Sequence, residues 1–339
     1  MYQFTKKKHF IGIDISKDHL DLALIINQDV RLIKDKKVEN NFKGFKKIQS
    51  WLSKEKLKLG DCLFCMEHTG TYGLLLFAWL GQNRIDYCVE PALKIKRSLG
   101  LTRGKNDQVD ARRIAEYALT NRAKLTLFVM PSKLLLQIKQ LLTYRDQQVK
   151  IKVSLLNSKK THNQYQEILG PNTITDEIDS QIKECIKRID DIDYQIKDLI
   201  KSDKNLKMNF DLATSVKGIG LVIAAFMLVT TNNFTSFENS RKYACYSGIA
   251  PFENASGKHK GKTKISNLAN KRIKALLSSG ANSAYKWDPD IRAYYKRKTQ
   301  EGKHHRLVIN SIRCKLVYRV FAVVNRKTPY VNFYQQKFA

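Results

Sequence analysis

The chain has 339 residues, with 61 Lys and Arg against 31 Asp and Glu, a formal charge of +30. With 43% hydrophobic residues, 10% aromatics and only 6 prolines, it is not a disordered polymer, and two or three packed domains are expected. A positive surplus of that size repels itself unless a polyanion neutralises it, so nucleic acid is the leading partner class, for an enzyme or for a basic architectural protein alike.

The longest apolar run, Ile219 to Val229, is shorter than the roughly 20 residues a membrane-spanning helix needs. The basic Lys6-Lys7-Lys8 cluster is followed by an apolar stretch that Asp14 interrupts, which argues against a secretory signal, so no membrane partner and a cytoplasmic location are expected. The six cysteines lack the paired spacing of a zinc site and read as reduced core thiols.

In chain order, His9 to Ile15 and Leu20 to Ile26 read as a β-hairpin, with a third strand over Val30 to Val38. Phe42, Phe45, Ile48, Trp51 and Leu52 have helical spacing. A strand at Cys62 to Glu67, a helix near Tyr72 to Leu80, a strand at Ile85 to Val89, and helices after Pro91 and from Asp107 follow. Three strands and then alternating helices and strands predict a mixed sheet covered by helices in a first domain, residues 1–125.

A helical arm is expected over residues 126–208. Leu135, Leu142, Val149 and Leu156 recur every seven residues. After a break at Gly170-Pro171, Ile178, Ile182, Cys185, Ile189, Ile192, Ile196 and Leu199 step by three and four, the spacing of a coiled-coil seam. Nine acids and six bases between Asp176 and Lys204 make this arm locally negative, which suits a protein contact better than a phosphate backbone. A hairpin packed on itself and self-association through the seam both satisfy the pattern.

The third region, residues 209–339, is expected to be mainly α. Ser215-Val216-Lys217-Gly218-Ile219-Gly220 ahead of an apolar helix has the form of a helix-hairpin-helix turn, in which backbone N–H groups approach a phosphate; packing explains such a turn equally well. From Arg241 to Lys274 there are nine Lys and Arg and one acid. Lys258, Lys260, Lys262 and Lys264 alternate, so an extended segment would present them on one face, a phosphate track or a solvated surface loop. With Lys105, Arg112, Arg113, Lys217, Gly218, Gly220, Lys271 and Arg272, these are the candidate nucleic-acid contacts. Trp287, Tyr294 and Tyr295 lie among further bases and suit either stacking or a core.

Four acids stand out in the first domain. Asp14 sits between Ile13 and Ile15 in an apolar strand, where a carboxylate costs several kcal/mol to desolvate without compensation. Glu67 ends the second central strand. Asp107 and Asp110 share one face of a helix start, where a cap and a dipole acid are the bland alternatives. Together they supply the oxygen donors a two-ion magnesium site requires for phosphodiester chemistry.

Gly12-Ile13-Asp14-Ile15-Ser16-Lys17, Glu67-His68-Thr69-Gly70-Thr71-Tyr72 and Lys105-Asn106-Asp107-Gln108-Val109-Asp110-Ala111 closely resemble the DEDD transposases of the pilin-inversion and insertion-sequence-110 group. Tyr246 to Pro251, Ala255-Ser256-Gly257 and Lys264-Ile265-Ser266 are similar to that family's second domain. The resemblance implies an α/β ribonuclease-H-like, RuvC-like first domain, a coiled-coil arm and a transposase domain. It implies that Asp14, Glu67, Asp107 and Asp110 hold Mg²⁺, or Mn²⁺ in its place, and that Ser256 attacks a DNA phosphate to form a transient phosphoserine link. It further implies donor and target DNA, a structured guide (bridge) RNA, and dimers that come together into a tetramer. The alternatives are a RuvC-like junction nuclease that uses water as nucleophile, and a non-catalytic nucleic-acid scaffold.

Overall fold

The computed structural model describes residues 4, 6–98, 106–170, 173–256, 259–265 and 269–331. The chain divides into two compact units, Met1–Met130 and Pro131–Ala339.

The first unit is built on five strands: β1 (His9–Ile15), β2 (His19–Ile25), β3 (Ile33–Glu39), β4 (Cys62–Glu67) and β5 (Tyr87–Glu90). Their order across the sheet is β3-β2-β1-β4-β5. The first three pair antiparallel as a meander, whereas β4 and β5 run parallel to β1. Helices α1 (Phe42–Lys54), α2 (Leu74–Gln82), α3 (Ala92–Ser98) and α4 (Asp107–Thr120) occupy the connections and the end. The third strand starts at Ile33, later than the apolar pattern suggests. Asn27 and Gln28 take left-handed backbone angles and the Asp29 carboxylate accepts from the Arg31 amide, so the turn runs on and leaves Val30 and Leu32 exposed.

Both faces of the sheet are covered, which is why its central strands read as continuous apolar runs. Ile11, Ile13 and Ile15 pack with Phe64 and Met66 against Phe45, Ile48 and Leu80 of α1 and α2. Phe10, Leu63, Cys65 and Cys88 pack against Ile95 of α3 and Ala111, Ile114 and Ala115 of α4. By the two-residue period of a strand, Gly12 and Asp14 lie on the α4 face with Phe10, and Glu67 lies there with Leu63 and Cys65.

In the second unit, α5 (Lys133–Leu169) and α6 (Thr173–Lys201) form an antiparallel pair. Arg145 reaches Asp193 at 2.6 Å and Lys159 reaches Asp179 at 2.5 Å, partners whose numbers run in opposite directions. On α6 the positions from Ile178 to Ile196 that step by three and four are all buried. On α5 Leu135 and Leu142 are buried, but Leu156 is 41% exposed. A straight helix drifts about 20° per heptad relative to a seven-residue repeat, so the third repeat rotates off the seam. Helices α7 (Lys204–Thr214), α8 (Leu221–Thr230), α9 (Ser240–Tyr246), α10 (Lys271–Trp287), α11 (Pro289–Gln300) and α12 (His305–Arg326) enclose the largest core. A two-stranded hairpin, β6 (Pro251–Ser256) and β7 (His259–Ile265), stands between α9 and α10. All six cysteines are free, and among the described residues no helix is long and apolar enough to cross a membrane.

Candidate active site

The site is set by how closely α4 approaches β1. A Cβ on Gly12 would stand 2.2 Å from the Ala111 carbonyl oxygen and 2.3 Å from the Ala115 amide nitrogen, so only glycine admits the helix backbone there. Two residues further along β1 lies Asp14, and Asp110 and Asp107 lie one and four residues before Ala111 on α4. The close approach therefore fixes the first turn of α4 beside the carboxyl end of β1.

The parallel pairing of β1 and β4 adds the third element. Ile13 is in register with Met66, so the next residues, Asp14 and Glu67, emerge together on strands about 4.8 Å apart. The other three acids all bear on Asp14. Burial first, then the charges of Asp107, Asp110, Glu67 and Asp21, push the Asp14 carboxyl up to about 6.

The cap of α4 is not Asp107. Asn106 holds that position and its side chain accepts from the Val109 amide at 2.7 Å, which leaves the exposed Asp107 carboxylate free of capping duty. Asp110 accepts from Arg113 one turn on at 2.9 Å. The preceding residue, Arg112, is bound through its Nε to Asp35 of β3 at 2.9 Å, and Gln108 donates to the same carboxylate at 2.8 Å, which ties the first turn of α4 to the sheet edge. These two arginines, read from sequence as nucleic-acid contacts, both engage acids of the same unit.

Two further acids on this face escaped the sequence reading. Asp21 is opposite Asp14 across β1 and β2, is nearly buried, and meets Lys37 at 3.2 Å. Glu90 is in register with Glu67, is buried, and meets Lys94 at 2.7 Å. Their signal was the same as that of Asp14, an acid on an otherwise apolar strand, but each has a lysine to offset its charge.

The donor set suits a hard divalent cation: oxygen ligands only, with a half-buried carboxylate whose ionisation is made harder first by burial and then by its acidic neighbours. Among the described residues, however, no three His, Cys, Asp or Glu side chains are already drawn around one point.

The candidate contacts of the second unit are placed differently. Ser256 is the last residue of β6, its backbone opposite His259 of β7, and its side chain lies outside the described residues. Lys260, Lys262 and Lys264 are on β7, an extended segment as their alternation suggests, with side chains outside the description; Lys105 and Lys258 lie outside it altogether. Lys217 and Gly220 are exposed in the turn between α7 and α8. Gly218 has a φ of +94°, and a Cβ there would meet the Gly280 carbonyl oxygen at 2.5 Å, so this glycine serves the packing of the turn on α10. Lys271 is exposed at the start of α10, while Arg272 beside it is ion-paired with Asp146 of α5. Trp287 is 73% exposed, Tyr295 stacks on Tyr285 at 4.7 Å, and Tyr294 lies under Lys315 at 4.4 Å.

A three-strand meander continued by two parallel strands, with acids at the carboxyl ends of the central pair and on a terminal helix, defines a ribonuclease-H-like, RuvC-like domain. Residues 11–169 match the transposase family model for the DEDD enzymes of IS110, and residues 211–296 match the model described as transposase, IS116/IS110/IS902 family. The chain belongs to this family of insertion-sequence transposases. It is 26% identical to the pilin gene-inverting protein of Moraxella bovis over 337 residues, 95% of this chain and 98% of that one. It is 30% identical to a 43.6 kDa protein of insertion element IS110 from Streptomyces coelicolor over 117 residues, 34% of this chain and 29% of the relative. A solved structure of T. thermophilus RuvC in complex with a Holliday junction substrate aligns with a TM-score of 0.25 and 13% identity, covering 35% of this chain and 99% of that one.

Proposed function

We propose that the protein is a metal-dependent DNA recombinase that cleaves and exchanges strands through a serine–phosphate intermediate, with its DNA sites chosen by a structured RNA. The observation that carries the metal-dependent part is the common field of the four acids at Asp14. Asp14, Glu67, Asp107 and Asp110 would hold Mg²⁺ or Mn²⁺. The bound ion supplies Lewis-acid stabilisation of the phosphodiester oxygens and lowers the pKa of a hydroxyl near it.

This chain's residues then divide the work. The Ser256 Oγ gives up its proton and forms a bond to phosphorus; the phosphodiester's bridging P–O bond breaks, and the leaving oxygen takes up a proton. One ester is exchanged for another, so no bond energy is lost before the strand is rejoined. The acids and Ser256 belong to separate units, and the reaction needs both. The lysines of β7 and the exposed Lys217 and Lys271 neutralise phosphates without reading sequence, which suits a protein whose choice of DNA is delegated to base pairing. Self-association to a dimer and tetramer completes the reading, with the apolar positions left exposed on α5 as contact surface.

Ser256→Ala tests it. The variant should lose strand cleavage and the covalent protein–DNA adduct while keeping DNA affinity. Cleavage that persists without an adduct would make water the nucleophile and overturn the serine pathway.

A further inference from the structure

Ile13 and Met66 are in register on β1 and β4, Asp14 and Glu67 come next, and then the chain turns away from both strands. Ser16 enters the turn between β1 and β2, and His68 enters the loop that reaches α2 at Leu74. One side chain spans the two turns. The Asn40 amide nitrogen donates to the Ser16 carbonyl at 2.9 Å and to the Tyr72 carbonyl at 3.0 Å, with the Lys17 carbonyl further off at 3.5 Å. A side-chain amide has two N–H groups, so both serve to join the segment after Asp14 to the segment after Glu67. Asn40 is itself held. Its backbone N–H donates to the Asp18 carbonyl at 2.9 Å, and the next residue, Asn41, caps α1 by accepting from the Gly44 amide at 3.0 Å. A Cβ on Gly44 would stand 1.9 Å from the Glu39 carbonyl oxygen, so glycine lets the first turn of α1 press on the residue before Asn40. The loop from Glu67 is pinned at its near end too, where the His68 amide donates to the Glu90 carbonyl at 3.0 Å.

On the proposed reading of the acids as metal ligands, we infer that Asn40 is a positioning residue for that site: a side-chain rung, placed past the paired part of β1 and β4, that holds Asp14 and Glu67 at the spacing a shared cation needs. A cation site keeps like charges close together, and the Glu67 charge already bears on Asp14. A tie just beyond both strand ends holds them against that repulsion. Its side-chain hydrogen bonds run to backbone carbonyls, so Asn40 acts through the chain and not as a ligand. Groups that orient ligands in this way set metal affinity nearly as strongly as the ligands do, because a site already in shape gives up less freedom when the ion arrives.

Calorimetric titration of the full-length chain with Mn²⁺ separates this role from a merely structural one. Asn40→Ala should weaken Mn²⁺ binding about 10-fold, the scale of losing a group that orients a ligand. Asn40→Gln keeps both donors on a stem one methylene longer and should regain part of that loss. Asn83→Ala is the structural control: the Asn83 amide donates to the Trp79 carbonyl at 2.8 Å at the end of α2, and its removal should lower the thermal midpoint without weakening Mn²⁺. Amide hydrogen exchange reads the tie itself. In Asn40→Ala, peptides covering residues 16–19 and 68–74 should both exchange faster than in the wild type. Wild-type Mn²⁺ affinity in Asn40→Ala, an equal loss in Asn83→Ala, or unchanged exchange in the two segments would each overturn the assignment. Failure of the metal reading looks different. In that case the wild-type chain binds no Mn²⁺, or Glu67→Gln binds it as tightly as the wild type, and the role of Asn40 falls with the site.

Discussion

Gly12 on β1 lies directly beneath Ala111 of α4, with 2.2 Å between the place of its missing Cβ and the Ala111 carbonyl oxygen. That contact decides where the acids of the helix stand relative to Asp14. Gly12→Ala should force strand and helix apart, at about 2–3 kcal/mol of stability. Because Asp107 and Asp110 move with the helix, divalent-ion affinity should fall along with the melting temperature. Calorimetric titration with Mn²⁺ beside a thermal melt checks this; unchanged metal affinity in a destabilised protein would detach the acids of α4 from the site.

Asp14→Asn should abolish recombination while DNA binding persists, since the change removes one anionic ligand and leaves the basic second unit alone. An electrophoretic shift assay with a strand-exchange assay reads both. Loss of binding and activity together would assign Asp14 to the fold.

The same carboxylate predicts an inverted pH response. Its folded pKa of about 6 is above the 3.8 expected when the chain is unfolded, so the folded state holds more protons between those values. Stability of the metal-free protein should therefore decline as pH rises from about 4 through 6, and Asn, which mimics the protonated acid, should remove that decline. At pH 7.5 Asp14→Asn is expected to raise metal-free stability by about 1–2 kcal/mol, after allowance for partial solvent screening, and by almost nothing near pH 4. Urea midpoints across that range measure it.

The turn between α7 and α8 separates packing from phosphate contact. Gly218→Ala meets both a positive φ and the Gly280 carbonyl, and should cost about 2–3 kcal/mol. Gly220 has open space around its Cβ position and an ordinary φ, so Gly220→Ala should shift stability by under about 1 kcal/mol. If Gly220→Ala leaves DNA affinity unchanged as well, the turn is not a phosphate cradle.

Much of the first unit was legible because its pattern is local. Apolar runs of β-branched residues gave β1, β2 and β4, and the three-and-four spacing gave α1 and α6, since burying one face of an element leaves a periodic trace in the chain. The β3 boundary was lost to an Asp29 side-chain turn, and the third heptad of α5 to the mismatch between 3.5 and 3.6 residues per turn. Asp14 and Glu67 announced themselves as charges on apolar strands, whereas Asp21 and Glu90 carry the same mark and were passed over.

Order along the chain marked most elements of the first unit, the positive surplus and the candidate acids, because periodicity, charge and residue type need no knowledge of distant neighbours. Proximity is another matter. That Asp14 feels four other carboxylates, that Arg112 is bound to Asp35, and that Gly218 is taken up by Gly280 are relations between segments far apart in the chain. Only the folded backbone fixes them, since a charge is offset, or left standing alone, by whatever the packing brings within a few ångströms of it.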